Sequence, residues 1–192
     1  MNIENLHNKF LQCNSIVDID SRSIRKGSMF IAIKGENFDG NNFAIEALKK
    51  GAGKAIIDSK DKKFENIENV IKVENSLKTL QKLANYHRNK SKSKIIALTG
   101  SNGKTTSKEL IHLVLKEKFN TISTLGNFNN HIGVPLSLLQ IKEDTEFSII
   151  ELGANNFGEI DLLTRIVEPD YGYITNFGKA HLEGFKNLKG VI

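Results

Sequence analysis

The sequence predicts an α/β protein in two parts: a small mixed α/β domain over residues 1–90 and part of a parallel-sheet domain over residues 91–192. Three observations carry this. Short β-rich apolar runs alternate with stretches of helical periodicity along the chain, the pattern of strands joined by right-handed crossovers. The polar stretch NKSKSK (89–94) interrupts that alternation with the composition of a linker. Beyond it, the run IIALT (95–99) is apolar at every position up to its last, as expected for a strand buried on both faces of a parallel sheet.

The elements follow in order. SMFIAI (28–33) reads as a strand closed by Gly35 and the turn-forming ENFDGNN. FAIEALKKGA (43–52) sets Phe43, Ala44, Ala47 and Leu48 at helical spacing and stops at Gly51 and Gly53. KAIID (54–58) and NVIKV (69–73) are two further strands. From Ser76, the residues Leu77, Leu80, Leu83 and Ala84 give one apolar helical face. After IIALT, a helix is expected from Lys104 to Lys118, with Leu110, Leu113 and Val114 turned inward. TISTL is a short strand, and IGVPLSLLQI starts a helix near Pro135. FSIIELG (147–153) is a buried strand, GEIDLLTRIV (158–167) a helix stopped before Pro169, and YGYITNFG (171–178) a last strand.

Composition narrows the classes. Among 192 residues, 39% hydrophobic and 26% charged describe a globular chain, and no apolar run is long enough to span a bilayer. The N-terminus lacks the layout of a secretory signal, and the lone Cys13 rules out an internal disulfide; both fit a reducing, cytoplasmic setting. Net charge is +5, but the lysines are dispersed and only four arginines are present, so a nucleic-acid partner is not expected.

The chemistry concentrates in TGSNGKTTSKE, between a strand and a helix. Gly100 and Gly103 permit backbone turns that let amides approach an anion, and the following helix aims its free N–H groups at the same point. Lys104 supplies charge for β- and γ-phosphates, and the Thr105 hydroxyl suits Mg²⁺. By average residue usage, GxxGKT arises by chance in roughly one chain of this length in a hundred. The usual glycine six residues before the lysine is replaced by Leu98, so the loop is short. Glu151, ending a core strand, suits a Mg²⁺ ligand or an ion-pairing role. His181 lies just past another strand end, where a lone histidine is more often a polar core or surface residue than a functional one. Asn129, Asn130 and Asn176 read as amide hydrogen-bonders or as turn residues.

Together, DSRSIRKGSMFIAIKGENFDG, TGSNGKTTSKE, GNFNNHIGVPLSLL, ELGANNFGEIDLL and ITNFGKAHLEGF resemble the Mur ligase family of ATP-dependent, amide-forming enzymes of peptidoglycan synthesis. Within it they look most like the members that add D-alanyl-D-alanine to UDP-N-acetylmuramoyl-tripeptide. The family's phosphate loop has the short GxxGK[TS] form. The resemblance implies that Gly100, Ser101, Asn102, Gly103, Lys104, Thr105 and Thr106 hold ATP phosphates. It implies Mg²⁺ at Thr105, and a second Mg²⁺ served by Glu151 and His181. Asn176 is implied at the adenine end, and Asn129 and Asn130 near substrate and γ-phosphate. Ser21, Arg22, Gly35, Asp39 and Gly40 match motifs lining the uridine-diphosphate site. The implied reaction proceeds through an acyl-phosphate, in a monomer. Family members are more than twice this long, so the rest of the central domain, a C-terminal domain and ligase activity of this stretch alone are expected to be missing. Two alternatives are another Mur-type ligase (diaminopimelate-adding or folylpolyglutamate type) and a P-loop module that uses ATP as a regulatory switch.

Overall fold

The computed structural model describes residues 2–178, 182–187 and 190. The chain divides into two compact units, Met1–Tyr86 and His87–Ile192. The division falls inside a helix, a few residues ahead of NKSKSK.

The first unit runs α1 (Ile3–Gln12), β1 (Val17–Asp18), β2 (Met29–Ile31), a hairpin of β3 (Lys34–Gly35) and β4 (Phe38–Asp39), a 3₁₀ turn at Gly40–Phe43, α2 (Ala44–Lys49), β5 (Lys54–Ile57), β6 (Val70–Lys72) and α3 (Ser76–Lys90). Strands β1, β2, β5 and β6 lie side by side in that order, all parallel. Phe30, Ala44, Ala47, Ala55, Ile57 and Phe64 form its core cluster. Helix α1 and strand β1 go beyond the sequence reading. Two buried residues one turn apart, Leu6 and Phe10, hold α1 down, and Asn2 caps it through the Asn5 amide at 2.8 Å. Ile3, Leu6 and Phe10 stand at helical spacing, so the periodic signal for α1 is present in the sequence.

The second unit runs β7 (Lys94–Thr99), α4 (Lys104–Leu115), β8 (Thr121–Ser123), α5 (Gly133–Leu138), β9 (Phe147–Glu151), α6 (Glu159–Val167), β10 (Tyr171–Ile174) and the short α7 (Leu182–Phe185). Its sheet is wholly parallel, in the order β10-β7-β9-β8. The connection leaving β7 passes β9 to reach β8, whereas the one leaving β9 passes β7 to reach β10. Right-handed crossovers therefore put α4 on one face, while α5 and α6 pack together on the other. The neighbouring strands β7 and β9 send their chains to opposite faces, so a crevice opens at their carboxyl ends. The expected α/β class with parallel strands is what the chain adopts.

Two expectations need correcting. Leu110, Leu113 and Val114 do not face inward: they are 58%, 47% and 72% exposed. The stripe turned to the sheet is Lys104, Lys108, Ile111 and Leu115, and only Lys108 on it is fully buried. In this phase Lys104 turns its side chain back to the Gly100 carbonyl and Lys108 reaches the Thr124 carbonyl, while the apolar stripe lies on the far side. Helix α5 begins at Gly133, near Pro135 as expected, and leaves the proline within the first turn, where a missing N–H costs nothing. The last strand ends at Ile174, because residues 175–178 bond to the loop after β7 instead. It is an edge strand, and Tyr171, Tyr173 and Ile174 are about half exposed.

At the opposite end of this sheet, Asp170 accepts from the Ile95 amide (2.9 Å), Arg88 Nη2 (3.0 Å) and Lys94 Nζ (2.9 Å). Arg88 also donates to the carbonyls of Val167 and Glu168, tying the end of α3 to the α6–β10 connection. The Ile95 amide, helped by Lys94 and opposed by burial, holds the Asp170 carboxyl below its ordinary value of 3.8. A depressed folded-state value means stability that is present above 3.8 and lost as pH falls through the lower folded value. Asp170→Ala is expected to cost about 1–3 kcal/mol in urea titrations at pH 7, with the gap to wild type closing below about pH 4.

Candidate functional site

The loop after β7 is built by two glycines with different reasons. Gly100 has φ +132°, and a Cβ there would collide with Thr175 Oγ1 and sit 3.0 Å from the Thr175 amide. Gly103 has φ +78° and meets nothing within 4 Å, so only its backbone angle demands glycine. Gly103 also has no side chain with which to cap α4, which leaves the first N–H groups of the helix facing the loop. Lys104 Nζ turns back to the Gly100 carbonyl at 2.6 Å.

The residues after β10 grip the other side of this loop. Ser101 N donates to the Asn176 carbonyl (3.1 Å) and Asn102 N to Asn176 Oδ1 (3.2 Å), while Asn176 Nδ2 and Thr175 Oγ1 both donate to the Asn102 carbonyl. Ser101 Oγ exchanges bonds with Gly178 at 3.0 and 2.8 Å. Thr106, in the first turn of α4, is exposed.

Glu151, the last residue of β9, is 2% exposed. Its Oε2 accepts from Thr105 Oγ1 and its Oε1 from Asn129 Nδ2, both at 2.9 Å. Its amide donates to Thr124 Oγ1 at 3.0 Å. Asn130 plays a different part: its Oδ1 accepts from the amides of Ile132 (3.0 Å) and Gly133 (2.8 Å), turning the chain into α5. A cavity of about 410 Å³ opens beside Lys104, Asn129, Asn130, His131 and Glu159. Burial acts to raise the Glu159 carboxyl, but the amides of Asn155 and Asn156 outweigh it and hold the value down, keeping that carboxylate charged.

In the first unit, a cavity of about 420 Å³ is lined by Ile19, Asp20, Ser21, Arg22, Phe30, Phe38 and Phe43. The Phe38 and Phe43 rings lie 6.2 Å apart, inclined by 30°, and are 48% and 39% exposed. Arg22 chelates the Asp20 carboxylate, with Nη2–Oδ2 at 2.6 Å, and that hydrogen bond lowers the Asp20 value to about 2.

Comparison with known proteins meets this geometry. Residues 98–192 match the Mur ligase middle domain, and residues 15–88 match the Mur ligase family catalytic domain. The chain belongs to the Mur ligase family. The UDP-N-acetylmuramoyl-tripeptide–D-alanyl-D-alanine ligase of Rickettsia prowazekii is 41% identical over 181 residues, covering 94% of this chain and 40% of that protein. The enzyme of the same name from Bacillus subtilis is 39% identical, covering 91% and 38%. The crystal structure of MurF from Acinetobacter baumannii superposes with a TM-score of 0.85 at 38% identity, over 91% of this chain and 38% of that one. MurF from Thermotoga maritima in complex with ADP gives 0.84 at 36%, over 94% and 42%. This Mur ligase chain therefore spans about 40% of the length of the relatives it matches.

Seen as part of a Mur ligase, the donors at the crevice suit Mg²⁺. A buried carboxylate and a hydroxyl touching it are hard oxygen donors. Among the described residues no three His, Cys, Asp or Glu side chains converge on one point. Lys104, Thr105, Glu151 and Asn129 are brought together, with Asn130 adjacent as a helix cap. Asn176 spends its amide on Asn102. Ser21 and Arg22 line the first-unit cavity, whereas Gly35 sits in the hairpin and Asp39 caps the next turn through the Asn41 amide. Gly40 is a packing glycine: a Cβ there would lie 2.6 Å from the Ile33 carbonyl. His181 lies outside the described residues. The sequence motifs give no role to Phe38, Thr124 or Thr175, and Phe43, expected on the apolar face of a helix, instead ends the 3₁₀ turn before α2 and lines the first-unit cavity. Two phenylalanines bracketing a turn rich in Asn, Asp and Gly were the visible signal for the aromatic pair; the threonines gave none.

The two loop glycines separate in a testable way. Gly100→Ala is expected to destabilise by more than about 2 kcal/mol in chemical denaturation, and Gly103→Ala by about 1 kcal/mol, since only the first also meets a steric block.

Proposed function

We propose that this chain supplies the uridine-nucleotide and ATP-phosphate sites of an ATP-dependent ligase that joins D-alanyl-D-alanine to UDP-N-acetylmuramoyl-tripeptide. The observation that carries the reading is buried Glu151 bonded to Thr105, beside an uncapped helix end and Lys104. Relatives bearing that activity's name are about 40% identical over nine-tenths of the chain, which supports the choice of acceptor. A diaminopimelate-adding ligase matches at 20% identity and a TM-score of 0.56, a likeness of fold alone.

In this reading the α4 amides and Lys104 take the ATP phosphates, Lys104 exchanging the Gly100 carbonyl for a phosphoryl oxygen. Because Thr105 touches Glu151, both would hold one Mg²⁺ between them, in place of the separate ions the resemblance assigns to them, with His181 joining on the resemblance alone. Bound there, the ion would neutralise charge on the phosphoryl oxygens. The cavity beside Asn129, Asn130 and Lys104 takes the tripeptide's terminal carboxylate. That carboxylate attacks the γ-phosphorus in line, releasing ADP and forming an acyl-phosphate. The amine of D-alanyl-D-alanine then adds to the acyl carbon, and phosphate departs as the tetrahedral intermediate collapses. Asn176 steadies the loop, and its place near adenine belongs to the same proposal. Ser21, Arg22, Phe38 and Phe43 take the uridine diphosphate, a ring face for the base and a guanidinium for phosphate. No helix among the described residues is long and apolar enough to cross a membrane, and a monomer in the cytoplasm fits the reading.

Calorimetric titration of the 192-residue chain should show binding of both ATP·Mg²⁺ and UDP-N-acetylmuramoyl-tripeptide. Lys104→Ala is expected to weaken ATP by about tenfold or more and to weaken the UDP ligand, whose tripeptide carboxylate lies beside it, far less. Phe38→Ala should do the reverse, through about 1–3 kcal/mol of lost base stacking. Binding of ATP without the UDP ligand would instead favour a nucleotide-switch module.

A further inference from the structure

The charged group least explained by the phosphate loop is Lys108. It is 1% exposed, among the most deeply buried large side chains of the chain. Lysine is almost never fully buried unless paired, because its ammonium loses its hydration. Its partners here are the Thr124 carbonyl and Glu109 Oε1 at 2.9 Å, and Glu109 itself is 53% exposed. Methionine would fill the same slot without the desolvation cost, so the charge calls for a reason.

The reason lies in what Thr124 holds. Thr124 is 1% exposed; its amide donates to the Ile149 carbonyl at 2.9 Å, and its hydroxyl accepts the Glu151 amide at 3.0 Å. Glu151 in turn accepts from Thr105, which precedes Lys108 by one turn on α4. The four residues close a ring: Lys108 to Thr124, Thr124 to Glu151, Glu151 to Thr105, and Thr105 back to Lys108 through the helix. The ring joins α4 to the ends of β8 and β9. Helix α4 cannot slide along its axis over the sheet without breaking one of its bonds.

We infer that Lys108 is a positioning residue for the Mg²⁺ site: a buried strap from α4 to Thr124 that keeps Thr105 and Glu151 at the spacing a shared cation requires. The inference rests on the reading of Thr105 and Glu151 as the Mg²⁺ donors. Lys108 touches neither nucleotide nor ion and acts through the other three.

ADP affinity of the full 192-residue chain, measured in EDTA and in saturating Mg²⁺, tests it. For Lys108→Met the affinity in EDTA should stay within about twofold of wild type, while the gain on adding Mg²⁺ falls by about tenfold or more. The same substitution in a Glu151→Gln background should remove nothing further, since both act on one element. Lys108→Arg, which keeps a cationic donor, should recover part of the gain. A Lys108→Met protein with a lowered melting temperature but an intact Mg²⁺ gain would overturn the inference and leave the lysine a purely structural role. Should that variant fail to fold, Thr124→Val opens the ring at the hydroxyl, and retention of the full Mg²⁺ gain there would overturn it equally. If wild type itself gains nothing from Mg²⁺, the assignment of Thr105 and Glu151 falls and takes the inference with it, an outcome told apart by the wild-type titration alone.

Discussion

A carboxylate withdrawn from water at the end of a core strand must be met by donors, and the second unit is arranged around that requirement at Glu151. Its two oxygens are claimed by side chains from different connections, Thr105 at the start of α4 and Asn129 from the loop before α5. Leaving either oxygen unpartnered in a buried site would cost about 1–3 kcal/mol or more. The carboxylate thereby fixes the start of α4 against the end of β9, and the strand order brings those two points together in the first place. The departure of the chain to opposite faces after β7 and β9 opens the crevice; Glu151 decides what its walls present.

The phosphate loop obeys the same economy of polar groups. Ser101, Asn102 and Lys104 each bond to a neighbour within the protein, so the loop keeps its shape through contacts with Asn176, Gly178 and Gly100. An anion arriving at the helix end would then trade with one flexible ammonium rather than reorganise a whole turn. Preorganisation of this kind lowers the entropic cost of binding.

The sequence made the longer strands and the loop legible because both are local, while the two-residue strands β1, β3 and β4 were too short to show a pattern. A β-rich run such as IIALT and two glycines framing a strand-to-helix turn carry their meaning within a few residues. The phase of α4 was not local. Leu110, Leu113 and Val114 form a respectable apolar stripe, but Lys104 and the ring through Lys108 choose the other one. Asn129 and Asn130 are neighbours of the same type with separate duties, one holding Glu151 and the other bending the chain into α5, and only the fold distinguishes them. In the first unit, glycines matched to a ligand-binding motif include Gly40, whose constraint is contact with the Ile33 backbone. A motif match reports that a residue is required, and packing says why.

The exposed edge strand β10 has one more consequence, a spectroscopic one. The chain has no tryptophan and three tyrosines, Tyr86, Tyr171 and Tyr173. Tyr86 lies edge-on to His7 in the first unit, with ring centroids 5.1 Å apart. The other two sit half exposed on β10, directly before Thr175 and Asn176, which grip the phosphate loop. Ultraviolet emission from this protein is therefore weighted toward the strand that leads into the loop clamp, and the chain carries its own optical probe beside the crevice without any label.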